Sequence, residues 1–365
     1  MTGIVRISML AALAAAALAP AQTQKQAQSK NQPKFKAIFE PVNYPQDSDL
    51  RDVFFVSADE GWVVGSTPSS AGEGGILLHT TDGGQHWAVQ MGDPHSAARI
   101  FMQLFFLDAK HGWATQAGNT GLLRTTDGET WEAMNEMNAL TQFVFASPSV
   151  GFTLDGDKIW RTQDGGRTWK VVYVGRDKVE VNGLTQDVQC LWDAISCPTA
   201  QVCYAASQGL PDNSAAIAST MDGGLTWSIS GHVPNASAGD WGLLFVDAKT
   251  GFMRGFADVW ATVDGGQNWR KIPATFPGSS HTHIRFADRE VGWLAYGNVI
   301  TYTSDGGKRW NTMEVRFPAT VYASSLPARD RGYVVGQHGM IYRYRIVPIE
   351  YTAKGMISVP AIAAR

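Results

Sequence analysis

Apolar residues along this chain fall in short runs of four or five, rich in β-branched and aromatic side chains and broken by Gly, Asp, Ser and Thr. In the first full unit the runs are 52–56, 62–65, 76–80 and 87–91, which predicts four short strands. A phenylalanine recurs seven residues before a second aromatic: Phe55 and Trp62, Phe106 and Trp113, Phe145 and Phe152, Phe245 and Phe252, Phe286 and Trp293. In the same register a fourth unit carries Ser196 and Cys203, and a seventh carries Leu326 and Tyr333. The seven anchors are 39 to 51 residues apart, room for one four-stranded sheet each and too little for separate domains.

A second signature sits in six of the units as Thr-x-Asp-Gly, beginning at Thr80, Thr125, Thr162, Thr220, Thr262 and Thr303. Its aspartates are Asp82, Asp127, Asp164, Asp222, Asp264 and Asp305, each followed by a tryptophan. Small sheets cannot cover their own apolar faces, so they must stack around an axis. The expected fold is all-β: a seven-bladed β-propeller with Asp-box hairpins joining third to fourth strands. The seventh unit has candidate strands at 321–326, 333–336 and 340–346 but no Asp-box. Residues 35–40 have the length and alternation to supply the missing strand and close the ring. The competing candidate, 349–365, is otherwise a surface tail.

An Asp side chain in such a hairpin accepts turn amides, its glycines take positive φ freely, and the threonine adds a further bond. The tryptophan is expected to cover the space between blades. Because each box belongs to a different blade, the six carboxylates are read as folding devices, not as metal ligands or catalytic acids. In the second box Trp131 follows Asp127 by four residues rather than five and Glu129 replaces a glycine, so that hairpin must turn differently.

Composition adds limits. The formal net charge of −3 gives no basic field for nucleic acid. Residues 1–21 combine Arg6, an apolar stretch and a small-residue site, the pattern of a secretory signal peptide cut before Gln22. Residues 22–34 read as a disordered polar leader, 35–348 as the propeller and 349–365 as the tail. No segment is long enough to span a bilayer, so the expectation is an exported periplasmic or extracellular monomer without cofactor or metal. Of three cysteines, Cys197 and Cys203 flank a turn and are the favoured disulfide, leaving Cys190 unpaired; three buried thiols is the other reading.

The strings Gly61-Trp-Val-Val-Gly65, Thr80-Thr-Asp-Gly-Gly84 and Val335-Gly-Gln-His-Gly-Met-Ile-Tyr-Arg343 resemble the photosystem II stability and assembly factor family, Asp-box propellers of the BNR-repeat class. The resemblance spans nearly all of 35–347. It implies a non-enzymatic scaffold working through protein contacts, on an envelope or photosynthetic membrane complex where the host has one. Family members carry an arginine patch; here the residue before the box threonine is basic at His79, Arg124 and Arg161, and Arg343 aligns with them, against Ser219, Ala261 and Tyr302 elsewhere. These four basic residues form an arc that would dock an acidic partner, or are solvated strand ends. The loops at 67–74, 175–188 and 209–215 offer a second candidate surface.

Asp-boxes also occur in sialidases and xyloglucanase-type hydrolases, so a carbohydrate-active or lectin-like propeller is the alternative. The Phe/Tyr-Arg-Ile-Pro motif of sialidases is absent, leaving Asp52 and Asp193 as the acids such an enzyme would use. His281 and His283 have a spacing a metal could use but lack a third ligand nearby. No phosphate-cradling loop and no Gly-x-Ser-x-Gly elbow is present.

Overall fold

The computed structural model describes residues 34–351 and 357–358, apart from 45, 70–71, 93–99, 118–120, 135–141, 237–241, 256–257, 274–282 and 314. The predicted signal peptide and all of the polar leader but residue 34 lie outside the described residues, as do 352–356 and 359–365 of the predicted tail. One compact unit is Ala37–Val347. The other is Met1–Lys36 with Pro348–Arg365, in which Glu350 pairs with Ser358 and Tyr351 with Ile357.

Among the described residues the larger unit holds seven antiparallel blade sheets, blades 1 to 7 in chain order, and one separate two-stranded hairpin. Blade 1 runs Asp49–Phe55, Gly61–Ser69, Gly72–Thr80 and Ala88–Met91, from innermost to outermost strand. Blades 2 to 6 begin at the inner strands Phe101–Phe106, Phe143–Phe145, Trp192–Ser196, Gly242–Phe245 and His283–Phe286. Each is a meander in chain order, because a hairpin is the shortest antiparallel connection. In blade 7, Val321–Ala328, Arg331–Gly336 and Ile341–Tyr351 are joined by Lys34–Pro41 as the outer strand. The Val42 amide donates to the Ile341 carbonyl (2.9 Å), and Phe39 packs against Trp293, Phe317 and Tyr344. The strand Lys34–Pro41 therefore closes the ring.

The two aromatic markers meet across blades. Phe106 stacks on Trp62 of the preceding blade (ring centroids 3.8 Å apart), Phe145 on Trp113 (3.6 Å), Phe245 on Tyr204 (3.7 Å), Phe286 on Phe252 (3.7 Å) and Phe55 on Tyr333 (3.4 Å). Such stacked pairs contribute roughly 1 kcal/mol beyond burial, so the seams are welded by aromatic rings. Glycine must precede the anchor, because a Cβ on Gly61 would lie 2.4 Å from the Phe55 ring. The box tryptophans sit edge-on to their own blade's phenylalanine, as Trp87 does to Phe55 and Trp310 to Phe286.

Blade 4 departs from the sequence reading by one residue. Its anchor is Tyr204, which faces Ser219 as Trp62 faces His79. Cys203 occupies the glycine position and Cys197 the phenylalanine position, and the two are joined by a disulfide. A covalent bridge thus replaces the packing of phenylalanine over glycine. Phe152 of blade 3, deprived of a stacking partner, receives the edge of Trp227 instead. Cys190 is the free cysteine, and burial pushes its thiol up to about 12.

Two of the segments read as loops are strands. Residues 67–69 and 72–74 extend the second and third strands of blade 1, with Ser69 opposite Gly72. Residues 175–188 contain an extra hairpin, Arg176–Val181 with Leu184–Gln189, turning at Asn182 (φ 52°) and Gly183 (φ 77°). An Asn-Gly pair supplies the positive φ that a two-residue hairpin loop requires. Val179 anchors this hairpin in a cluster with Cys190 and Trp192, and Asp177 pairs with His232 of blade 4 (2.6 Å). The segment 209–215 is a turn pinned by buried Leu210 and by Asp212 capping Ser214.

Candidate functional site

In all six boxes the threonine hydroxyl donates to the aspartate Oδ1, at 2.7 to 3.0 Å. The same hydroxyl accepts an amide from the following glycine turn, for example Gly166 N to Thr162 Oγ1 at 3.0 Å. In five boxes Oδ1 then takes the amide four residues on, while Oδ2 takes that residue's side chain: His86, Thr168, Thr226, Asn268 or Arg309. In the second box the partner is Thr130, three residues on, because that turn is one residue shorter. The Thr130 hydroxyl and amide hold Asp127 well below the usual carboxylate range, and those of Thr226 do the same for Asp222. The Arg309 amide, then its side chain, lowers Asp305 to about 2. Partial burial pulls Asp164 upward, but bonds from Thr168 outweigh it and leave it at about 2. Every box carboxylate is occupied by its own hairpin.

The four basic residues of the arc are half-buried, and Arg343, Arg124 and Arg161 reach across the seams. Arg343 of blade 7 donates to Gly83 O in the box of blade 1 (3.3 Å) and pairs with Glu40 of the closing strand (3.1 Å). Arg124 of blade 2 lies over its own Trp113 and donates to Pro148 O of blade 3 (3.1 Å). Arg161 of blade 3 donates through Nε to Gly223 O in the box of blade 4 (2.9 Å). His79 stacks on Trp62 (4.5 Å) and contacts Glu60. The arc is contiguous along blades 7, 1, 2 and 3, yet three of its members act as latches onto the next blade, which the spacing alone did not reveal. The legible signal was the register of Arg343 against Tyr333, the same as Arg124 against Trp113.

Residues 32–177, covering the closing strand and blades 1 to 3, match the sequence profile of the family described as photosynthesis system II assembly factor YCF48. Over those residues the chain is similar to that family, and the fold as a whole is an Asp-box propeller. Its structure is similar to that of YCF48 from Cyanidioschyzon merolae, at 18% identity and a TM-score of 0.59, over 84% of this chain and 98% of that one. It is similar also to YCF48 bound to D1 peptide, at 19% identity and 0.58, over 87% and 98%. A streptogramin B lyase shares the architecture at 10% identity and 0.59, over 85% and 98%, a likeness of fold alone. No curated protein sequence matches the chain.

The acids proposed for an enzyme stand apart in the ring. Asp52 lies on the inner strand of blade 1 and accepts the amides of Val53 (2.9 Å) and Leu104 of blade 2 (2.8 Å). Burial raises its pKa, against the pull of the Arg285 charge and of those amides. Asp193 belongs to blade 4, with two blades between it and Asp52 one way around and three the other. Arg285, unremarked in the sequence, donates to Ser324 O of blade 7 (3.0 Å), so inner-strand charges also join blades. His281 lies outside the described residues, and His283 is half-buried on the inner strand of blade 6. Among the described residues no three His, Cys, Asp or Glu are grouped to hold a metal, and no helix is long and apolar enough to cross a membrane.

Proposed function

We propose that this propeller is a non-catalytic, exported scaffold that binds a protein partner during assembly of a membrane or envelope complex. The observation that carries the reading is the occupancy of all six box carboxylates by their own hairpins: the most repeated chemistry of the chain serves the fold, leaving the surface for recognition. A similar propeller, YCF48, has been solved with a D1 peptide bound, which supports a peptide or protein as the ligand class here. Export rests on the signal-peptide pattern of 1–21 and accords with the Cys197–Cys203 bridge, since disulfides persist in oxidising compartments. The alternative, a hydrolase built on Asp52, would require a second carboxylate in reach of a scissile bond.

The test is affinity capture, with cross-linking, from the host's own envelope fraction using the chain from Gln22 onward, run beside a glycoside and glycan screen. The expected result is a discrete membrane-complex subunit that elutes with rising salt, and no turnover. Glycoside cleavage abolished by Asp52→Asn would overturn the reading.

A further inference from the structure

Among the described residues every blade seam is packed from within the chain, but at the seam between blades 5 and 6 the stacked rings of Phe252 and Phe286 leave the position facing the anchor unfilled. At each seam two positions do the plugging: the anchor ring on the second strand and the residue facing it on the third. Blade 1 uses Trp62 with His79 laid flat on it, and blade 2 uses Trp113, whose indole N–H donates to Gly165 O (3.0 Å), with Arg124. Blade 3 uses Arg161, and blade 4 uses Tyr204, whose hydroxyl donates to Ala248 O (2.7 Å). Blade 6 lays Trp293 against the backbone at Gly332, and blade 7 uses both Tyr333, donating to Ala58 O (2.6 Å), and Arg343. Blade 5 has Phe252 facing Ala261. Phenylalanine has no polar atom to reach across, and alanine has no side chain to fill the space.

A cleft of about 530 Å³ opens at that seam, between blades 5 and 6. Phe252 and Ala261 close its bottom, and Val263, 70% exposed, stands on its wall. Its lining carries the cations Lys249, Arg270, Arg289 and Lys308 against two acids, Glu290 and Asp305. Both acids are neutralised elsewhere, Glu290 by Arg329 (2.8 Å) and Asp305 by Arg309 (2.9 Å), while Arg289 is paired with Asp247 (2.5 Å). Among the described residues Lys249, Arg270 and Lys308 have no carboxylate partner. Three unpaired cations therefore surround an apolar notch, in a seam where other blades seat a planar side chain.

We infer that the cleft between blades 5 and 6 receives an aromatic side chain of an acidic peptide segment, which plugs in trans the seam that Ala261 leaves open. This deepens the scaffold reading and rests on it: the ring goes into the notch, and flanking carboxylates meet Lys249, Arg270 and Lys308. Charge alone would not select an aromatic, and the notch alone would not select acids, so the two halves are separable.

The probes are two fluorescein-labelled peptides, Gly-Glu-Glu-Tyr-Glu-Glu-Gly and its Tyr-to-Ala counterpart, titrated by anisotropy against the chain from Gln22 onward. The tyrosine peptide is expected to bind at least tenfold more tightly, with affinity falling as salt rises. Ala261→Arg copies the latch already present at Arg124 and Arg161, and should raise or hold the melting temperature while weakening the tyrosine peptide at least tenfold. The exposed pair Arg270→Glu and Lys308→Glu should weaken both peptides without moving the melting temperature. Equal binding of the two peptides, absence of binding, or wild-type binding by Ala261→Arg overturns the inference. Capturing the same envelope partner with Ala261→Arg as with wild type likewise overturns it while leaving the scaffold reading intact; capture of no partner by wild type fails the scaffold reading itself.

Discussion

Single atoms decide the seams and the hairpins. The Thr162 hydroxyl is buried and serves three groups at once: Asp164 Oδ1, the Asp164 amide and the Gly166 amide. Thr162→Val keeps the shape and strands those amides, so a loss of about 1 to 3 kcal/mol is expected in denaturant unfolding. A methyl group on Gly61 would meet the Phe55 ring, and Gly61→Ala should cost a similar amount through overpacking. In blade 4 the disulfide holds the place that phenylalanine over glycine fills elsewhere. Reduction of the wild type should lower stability by about 2 kcal/mol, as expected for a short loop. The paired variant Cys197→Phe with Cys203→Gly should restore most of that loss and be indifferent to reductant. A double variant as unstable as Cys197→Ala alone would show that the bridge is not a substitute for the ring.

Strands and hairpins carry the pH behaviour. The box carboxyls are held below their ordinary value, Asp164 and Asp305 at about 2, because folding gives them donors. Groups whose folded pKa is depressed contribute stability that is present above the unfolded pKa and lost as pH falls through the folded one. Melting temperature should therefore be insensitive to pH down to about 4 and drop between about 4 and 2, which a calorimetric pH series would check. How far elements were legible in the sequence depended on their contrast. Box hairpins and the phenylalanine-to-anchor spacing recur with fixed residue types, so the blades and the closing strand could be read directly. The hairpin at Arg176–Val181 and Leu184–Gln189 was missed because its mostly exposed, polar strands mimic a loop, although Asn182-Gly183 marked its turn. In blade 4 a cysteine at the glycine position hid the true anchor, Tyr204, one residue further on. The basic residues before the boxes were visible as a register, but their bonds to the next blade depend on ring closure, which no local pattern encodes.

At the scale of the whole molecule, the wheel is held by stacked aromatic rings at five of its seams, with strand Lys34–Pro41 paired to Ile341–Tyr351 in blade 7. Phe39 and Glu40 of the closing strand touch Tyr344 and the Arg343–Arg345 pair, so a chain starting at Val42 should lose cooperative unfolding, measured as a broadened calorimetric transition. On the proposed scaffold function, closure of the ring leaves recognition to the rim and the seams, which separates folding chemistry from binding chemistry. The most direct test measures melting temperature and partner capture together for Asp127→Asn and Asp222→Asn. The wheel account predicts a lower melting temperature with capture preserved at temperatures where the variants remain folded. Capture abolished with the melting temperature unchanged would contradict it, because the aspartates would then be acting on the partner rather than on the hairpin.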